Sequence, residues 1–201
     1  VMSIKLLVAT HNQGKVQAYR ALLAALSIEV TYLDADSVTF DVEETGVTFE
    51  QNALLKARAY AAHSGLLVWA DDSGLEVDAL DGAPGVFSAR YGAPAARSDG
   101  DRYRLLLQQL APTAENERTA RFRCVVALAW PDGRTATTQG ACEGRIAAAP
   151  RGEHGFGYDP VFLVADFDYR LTMAELPAEI KNRISHRSRA AAAARMVLQG
   201  S

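Results

Sequence analysis

Long apolar runs are missing from this 201-residue chain, and so is any excess of positive charge. A membrane-spanning helix needs roughly 18–20 consecutive apolar residues, and no stretch of the sequence approaches that. The opening Val1-Met2-Ser3-Ile4-Lys5 leads straight into a short apolar segment. It lacks the longer apolar stretch and small-residue cleavage site of a signal peptide. No membrane partner is expected. Lys and Arg number 21 against 24 Asp and Glu, a net charge of −3. That argues against a general nucleic-acid binder and leaves room only for a local basic pocket. Cysteine is scarce: Cys124 and Cys142 are the only two, with neither CxxC spacing nor a nearby His pair. A structural zinc site is excluded, and two reduced, partly buried thiols in a cytoplasmic protein are expected.

What is present suffices for a real core. The chain is 49% hydrophobic and 22% charged, with no repeat, linker or disordered composition, and its length suits one large domain or a single two-lobed one. Residues 4–9 form a compact apolar run and read as a buried strand. Over residues 14–26, Val16, Tyr19, Leu22, Leu23 and Leu26 fall on one helical face. Residues 28–33 read as a second strand, and no hairpin signal joins it to the first. Thr48-Phe49-Glu50-Gln51 fits a capping box, predicting a helix to about residue 63 with Gly65 as its stop. Residues 66–70 read as a strand ending at Asp71-Asp72-Ser73-Gly74, Gly82-Ala83-Pro84-Gly85 as a loop, and residues 99–110 as a helix. Residues 120–130 and 134–144 flank Pro131-Asp132-Gly133, a turn signal for a long antiparallel hairpin. An Ala- and Arg-rich helix from about residue 188 closes the chain. The class is α/β with a mixed sheet.

Four groups of residues carry chemistry. Thr10-His11-Asn12-Gln13-Gly14-Lys15 joins the first strand to the first helix, where backbone N–H groups and the helix dipole favour an anion. A P-loop is rejected, because the first Gly of the GxxxxGK[ST] pattern is absent and Val16 stands where Ser or Thr belongs. A phosphate cradle is not. Asp71-Asp72 close a buried strand and Glu43-Glu44 precede Thr45-Gly46. Alone, each pair reads as a solvated turn. One carboxylate from each would make a hard-oxygen site suited to Mg²⁺, and Lys56, one turn after Asn52, could reach the same phosphates. Since strand side chains alternate, only one of Asp71 and Asp72 need face the site. The last group is Phe156-Gly157-Tyr158-Asp159 with Ser185-His186-Arg187 about thirty residues on. Aromatics can sandwich a heterocycle without discrimination, and Asp, His and Arg at its edge can test which groups the ring carries.

Taken in order along the chain, these motifs resemble the inosine triphosphate pyrophosphatase family, which includes the bacterial XTP/dITP diphosphatases. The likeness runs through Thr10 to Lys15, Glu43 to Gly46, Thr48-Phe49 with Asn52-Ala53 and Lys56-Ala57, Ala70 to Gly74, Gly82 to Gly85 with Ser88 to Tyr91, Phe156 to Pro160, and Lys181 with Ser185 to Arg187. The resemblance implies one two-lobed α/β domain around a long, curved mixed sheet with flanking helices and a substrate cleft between the lobes. It also implies a Mg²⁺-dependent homodimer that hydrolyses deaminated purine nucleoside triphosphates to monophosphate and pyrophosphate. Carried over by position, Thr10, His11, Asn12, Gln13, Gly14 and Lys15 would bind the triphosphate and Ser73 would touch the substrate. Glu43 and Asp72 would hold Mg²⁺, with Asp72 as general base and Lys56 assisting at the phosphates. Phe156 would stack on the base, Gly157, Tyr158 and Asp159 would complete the pocket, and Lys181, His186 and Arg187 would close over the base edge. Two departures bear on the metal shell: many relatives carry Glu where this chain has Ala18 and Gln51. Rival expectations are a nucleotide pyrophosphatase of the same broad fold acting on a modified pyrimidine or methylated base, and a nucleotide-binding regulator without catalysis. The base-reading motif argues against the first, and Asp72 with Lys56 against the second.

Overall fold

The computed structural model describes residues 5–24, 26–35, 38 and 40–200; residue 4, where the first strand was expected to start, lies outside them. Strand β1 (Lys5–Val8) leads through helix α1 (Gln13–Leu23) to β2 (Glu29–Tyr32), then α2 (Phe49–Ser64) and β3 (Leu67–Val77). β1 pairs in parallel with both neighbours, Leu7 lying opposite Thr31 of β2 and Val68 of β3. A parallel pair needs a crossover, and α1 and α2 supply it. The chain continues through α3 (Asp99–Gln109), β4 (Thr119–Ala129), β5 (Thr135–Ile146), β6 (Phe162–Val164), α4 (Ala178–Ile184) and α5 (His186–Gln199). The sheet is six-stranded in the order β2-β1-β3-β4-β5-β6, and β5 meets β6 antiparallel, with Arg145 opposite Leu163. The class is α/β with a mixed sheet and flanking helices.

Local signals account for most boundaries. Thr48 caps α2 by accepting the Gln51 N–H at 3.2 Å, while the Gln51 amide accepts from Val47 N at 2.8 Å instead of from the cap residue itself. Gly65 N–H closes the other end on Ala61 O at 2.9 Å. The Pro131-Asp132-Gly133 turn is made by Trp130 N to Arg134 O at 2.9 Å and Gly133 N to Trp130 O at 3.0 Å. α1 ends at Leu23, short of the expected residue 26, and α5 starts at His186, ahead of the expected 188. β3 differs most. It runs on through Asp71, Asp72, Ser73 and Gly74, because Leu75 and Val77 are fully buried and Glu76 between them is not, which restores strand alternation beyond the polar stretch.

The described chain forms two compact units. Unit 1 comprises the residues up to Asp72, Cys124–Gly140 and the residues from Arg187; unit 2 comprises Ser73–Arg123 and Ala141–His186. In unit 1, Leu6, Val8, Tyr19, Trp69, Val126 and Leu128 pack with Ala190, Ala191 and Ala194 of α5, whose small side chains let that helix sit close. Tyr19 meets Trp69 edge-on at 5.5 Å between ring centroids. In unit 2, Leu75, Leu106, Phe122, Ile146, Tyr158, Phe162 and Met173 form the core. Both cysteines are buried and neither forms a disulfide. Among the described residues, no helix is long and apolar enough to cross a membrane.

Candidate active site

In unit 1 the turn after β1 is built by its own side chains. Asn12 caps α1, its Oδ1 accepting the Lys15 N–H at 3.0 Å, and Thr10 Oγ1 accepts the Asn12 N–H at 3.2 Å. His11 lies 3.1 Å from Asp34 through Nδ1 and 3.6 Å from Asp41 through Nε2. Asn12 and Gln13 are exposed and Gly14 is half-buried, so a helix N-terminus is presented with polar groups around it. Lys15 points inward. Its Nζ lies 3.0 Å from Asp71 Oδ2, with 15% of the lysine side chain and 1% of the aspartate side chain exposed.

Asp71 and Asp72 sit in opposite electrostatic settings. Asp71 is met by Lys15, by Arg187 Nε at 3.8 Å and by the Cys124 thiol at 3.8 Å. Burial would push its carboxyl up, but Lys15, then Arg187 and Lys56, outweigh it and hold the group well below the usual carboxylate range. The Cys124 thiol is pushed up to about 12, by burial first and then by the Asp71 charge, which leaves it an inert thiol. Asp72 behaves in the reverse sense. Burial raises its pKa, Lys56 opposes, the nearby Glu44 carboxylate raises it further, and the net direction is upward. Asn52 Nδ2 donates to Asp72 Oδ2 at 3.1 Å. Lys56 donates to Glu44 Oε1 at 2.5 Å and to the Asp71 carbonyl at 2.7 Å. Its ammonium is held charged: desolvation is outweighed by Asp72, Asp71 and Glu44, which raise its pKa. The chemistry available here is a buried carboxylate of raised basicity beside a second carboxylate and one shared ammonium. Asp72 and Glu44 are the hard-oxygen groups that could face a divalent cation.

In unit 2 the Phe156-Gly157-Tyr158-Asp159 segment is pinned along its length. Asp159 Oδ2 accepts the Phe156 N–H at 3.0 Å and is paired with the Lys181 ammonium. Gly157 N–H donates to Asp99 Oδ2 at 2.7 Å, at the Ser98-capped start of α3. Tyr158 donates its hydroxyl to Ser88 O at 2.9 Å, and Ser88 Oγ accepts the Leu75 N–H at 2.9 Å. A Cβ at Gly155, where φ is +83°, would stand 2.0 Å from Asp159 Oδ2, so the loop closes tightly only on a glycine. Lys181 Nζ lies 5.1 Å from the Phe156 ring centroid, within cation–π range. The His186 ring stacks on Phe122 at 4.8 Å. The segment offers a half-buried aromatic ring with an ammonium over it, paired to a carboxylate.

The expected residues therefore fall into two sets. Unit 1 holds Thr10, His11, Asn12, Gln13, Gly14, Lys15, Glu43, Lys56, Asp72 and Arg187; unit 2 holds Ser73, Phe156, Gly157, Tyr158, Asp159, Lys181 and His186. Arg187, expected at a base edge, is buried against Asp71 with 5% of its side chain exposed. Glu43, expected at a metal, is exposed, and it is Glu44 that meets Lys56. Gln51 keeps, through an uncharged amide, the acceptor role toward Val47 N–H that a Glu would play. Sequence reasoning missed Asn52 as a partner of Asp72, and Asp99 and Ser88 as anchors of the aromatic segment. The capping signal at Ser98 was the one cue to Asp99's placement.

Comparison with known proteins completes the assignment. The family model described as "Ham1 family" matches residues 6–197. The chain belongs to the Ham1 family. It is 52% identical over 188 residues to the dITP/XTP pyrophosphatase of Symbiobacterium thermophilum, covering 94% of this chain and 91% of that protein. With the dITP/XTP pyrophosphatase of Bacillus subtilis it shares 47% identity over 182 residues, 90% of each. Among solved structures, the HAM1 protein of Coxiella burnetii superposes with a TM-score of 0.88 at 40% identity, covering 98% of this chain and all of that one. The Staphylococcus aureus Ham1 protein gives 0.86 at 42% identity over 98% of both.

Proposed function

We infer that this protein is a nucleoside-triphosphate pyrophosphatase that hydrolyses inosine, deoxyinosine and xanthosine triphosphates to the monophosphate and pyrophosphate, clearing deaminated purines from the nucleotide pool. The dITP/XTP pyrophosphatases that are about half identical over nearly the whole chain support it. The observation that carries it is the placement of buried Asp72, bonded by Asn52, beside the Lys56–Glu44 ion pair, where burial and the Glu44 charge raise its pKa next to groups suited to a polyphosphate.

In this reading Asp72 accepts a proton from water as the water oxygen forms a bond to the α-phosphorus, and the bond between the α-phosphorus and the oxygen that bridges to the β-phosphorus breaks. The electron pair leaves on pyrophosphate, and Lys56 with the N-terminal turn of α1 faces the charge that develops there. Mg²⁺ belongs to the same proposal. Among the described residues no group of three or more His, Cys, Asp or Glu side chains forms a ready cage, but Mg²⁺ usually takes one or two carboxylates and completes its shell with water and phosphate. Asp72 and Glu44 fit that requirement, the repulsion between them being what a cation relieves. Bound there, the ion would neutralise phosphate charge.

The base end is assigned to unit 2. Phe156 gives a stacking face and Lys181 a donor for a 6-oxo group. Adenine, with a 6-amino donor and a bare N1, would meet donor with donor, and sites built to hydrogen-bond a group reject an analogue lacking it by up to roughly 10⁴–10⁵. Guanine differs from hypoxanthine only by its 2-amino group, so guanosine triphosphate should be the better of the two normal purine substrates. The enzyme is further proposed to act as a cytoplasmic homodimer, to which Phe87, 56% exposed in the loop after Gly82, is a suitable contributor; light scattering tests the assembly. Product analysis with deoxyinosine triphosphate tests the reaction: monophosphate and pyrophosphate are expected, and diphosphate with orthophosphate would overturn it.

A further inference from the structure

Asn52 has no exposed surface, and its amide is engaged at both ends. Nδ2 donates to Asp72 Oδ2 at 3.1 Å, and Oδ1 accepts the Gly46 N–H at 2.7 Å. One side chain on α2 thus ties the loop that carries Glu44 to the carboxylate of Asp72 on β3. Asn ranks low among helix formers, and a buried amide is costly unless both its ends are bonded. Here both are. The loop closes on it and on its neighbour: a Cβ on Gly46 would lie 2.6 Å from Asn52 Oδ1 and 2.7 Å from Gln51 Cβ, while Gly46 is not among the residues of positive φ, so its glycine answers to space and not to backbone conformation. The neighbouring bond, Val47 N–H to Gln51 Oε1 at 2.8 Å, holds the same loop without touching Asp72.

We propose that Asn52 is a positioning residue for the hydrolysis: its amide fixes the direction in which the Asp72 carboxylate is turned and holds the Glu44 loop in register with it. The inference rests on Asp72 being the base. Groups that orient a reactive carboxylate without touching substrate usually matter by about 10–100-fold, because a small misplacement of a reacting group is costly in rate.

The test uses the full-length protein and deoxyinosine triphosphate at pH 8. Asn52→Asp keeps the size and the acceptor for Gly46 N–H but turns an acceptor toward Asp72. Asn52→Ala removes both bonds, and Gly46→Ala displaces the amide from the loop side with Asn52 intact. Each should lower kcat by about 10–100-fold and leave KM within about threefold. Nucleotide affinity measured by calorimetry in EDTA, without turnover, should be unchanged. Gln51→Ala, which loosens the same loop, should stay within about twofold in kcat. Gly46→Ala carries the test if Asn52→Ala does not fold. Unchanged kcat in the Asn52 and Gly46 variants alongside an inactive Asp72→Asn would overturn the positioning role while leaving the base assignment standing. So would a loss in Gln51→Ala as large as theirs, or a loss confined to KM. A fully active Asp72→Asn would overturn both.

Discussion

Asp71 and Asp72 are consecutive on β3, both nearly fully buried, and their surroundings are opposites. Around Asp71 stand Lys15, Arg187 and the Cys124 thiol, and cationic charge exceeds what one carboxylate needs. Around Asp72 stand Asn52, Glu44 and a Lys56 that Glu44 already shares. Strand alternation sends the two side chains to different faces, and the tertiary fold gives each face its own charge. The first cluster is closed: it holds α1, β3 and the start of α5 together through an ion pair. At the second, burial and the Glu44 charge outweigh Lys56, Lys15 and the Asn52 bond, and the proton affinity of the carboxylate is raised. In the proposed function the first cluster serves stability and the second serves chemistry.

The largest expected effect separates the two directly. Asp72→Asn should lower kcat by roughly 10²–10⁴, the scale of a lost general base, while its melting temperature stays at or above that of the parent because a costly buried charge is removed. Asp71→Asn should do the reverse. It leaves Lys15 and Arg187 buried without their counter-charge, and breaking a buried pair in this way costs about 3–5 kcal/mol; chemical denaturation measures it. A turnover loss in Asp71→Asn as large as that in Asp72→Asn would erase the distinction. Smaller again is Arg187→Ala. With Lys15 still in place at Asp71, roughly 1–3 kcal/mol of stability should go. A base-edge role alone would instead leave stability untouched and narrow the ratio of inosine to adenosine triphosphate efficiency.

The smallest effect lies in the pH dependence of stability. The folded-state pKa of Asp71 is depressed, so its contribution is full above the ordinary carboxylate value of 3.8 and is lost as pH falls below it. The folded-state pKa of Asp72 is raised, so the folded chain binds the proton more tightly, and stability falls as pH rises from 3.8 through the raised value. Melting curves across mild acid should show Asp72→Asn missing that decline and Asp71→Asn missing the acid-side loss.

Much of this was legible in the sequence where local chemistry sets the structure. The Thr48 cap, the Gly65 stop and the Pro131-Asp132-Gly133 turn depend on neighbours within a few residues, and each behaves as its residue types dictate. The sequence reads as a strand over residues 66–70 that ends in Asp71-Asp72-Ser73-Gly74, since an acidic pair alone resembles a solvated turn. The segment instead continues β3, which lies between β1 and β4 in the sheet, and that placement is not written in the segment itself. β6, three residues long, is too short to show any period. At the site, residue types were legible and partnerships were not. Lys15 and Arg187 meet at Asp71 from opposite ends of the chain. The choice of Glu44 over Glu43 to face Lys56 is a matter of loop path, which the Asn52–Gly46 bond secures.

The comparison between the two carboxylates is tested most directly by measuring their individual proton affinities. Carboxyl-carbon NMR titration of the metal-free protein, with Asp71→Asn and Asp72→Asn used for assignment, reads each group separately. Asp71 should titrate below, and Asp72 above, the ordinary value of 3.8. Coincident titration of the two, or the reverse order, would contradict the contrast drawn between the two carboxylates.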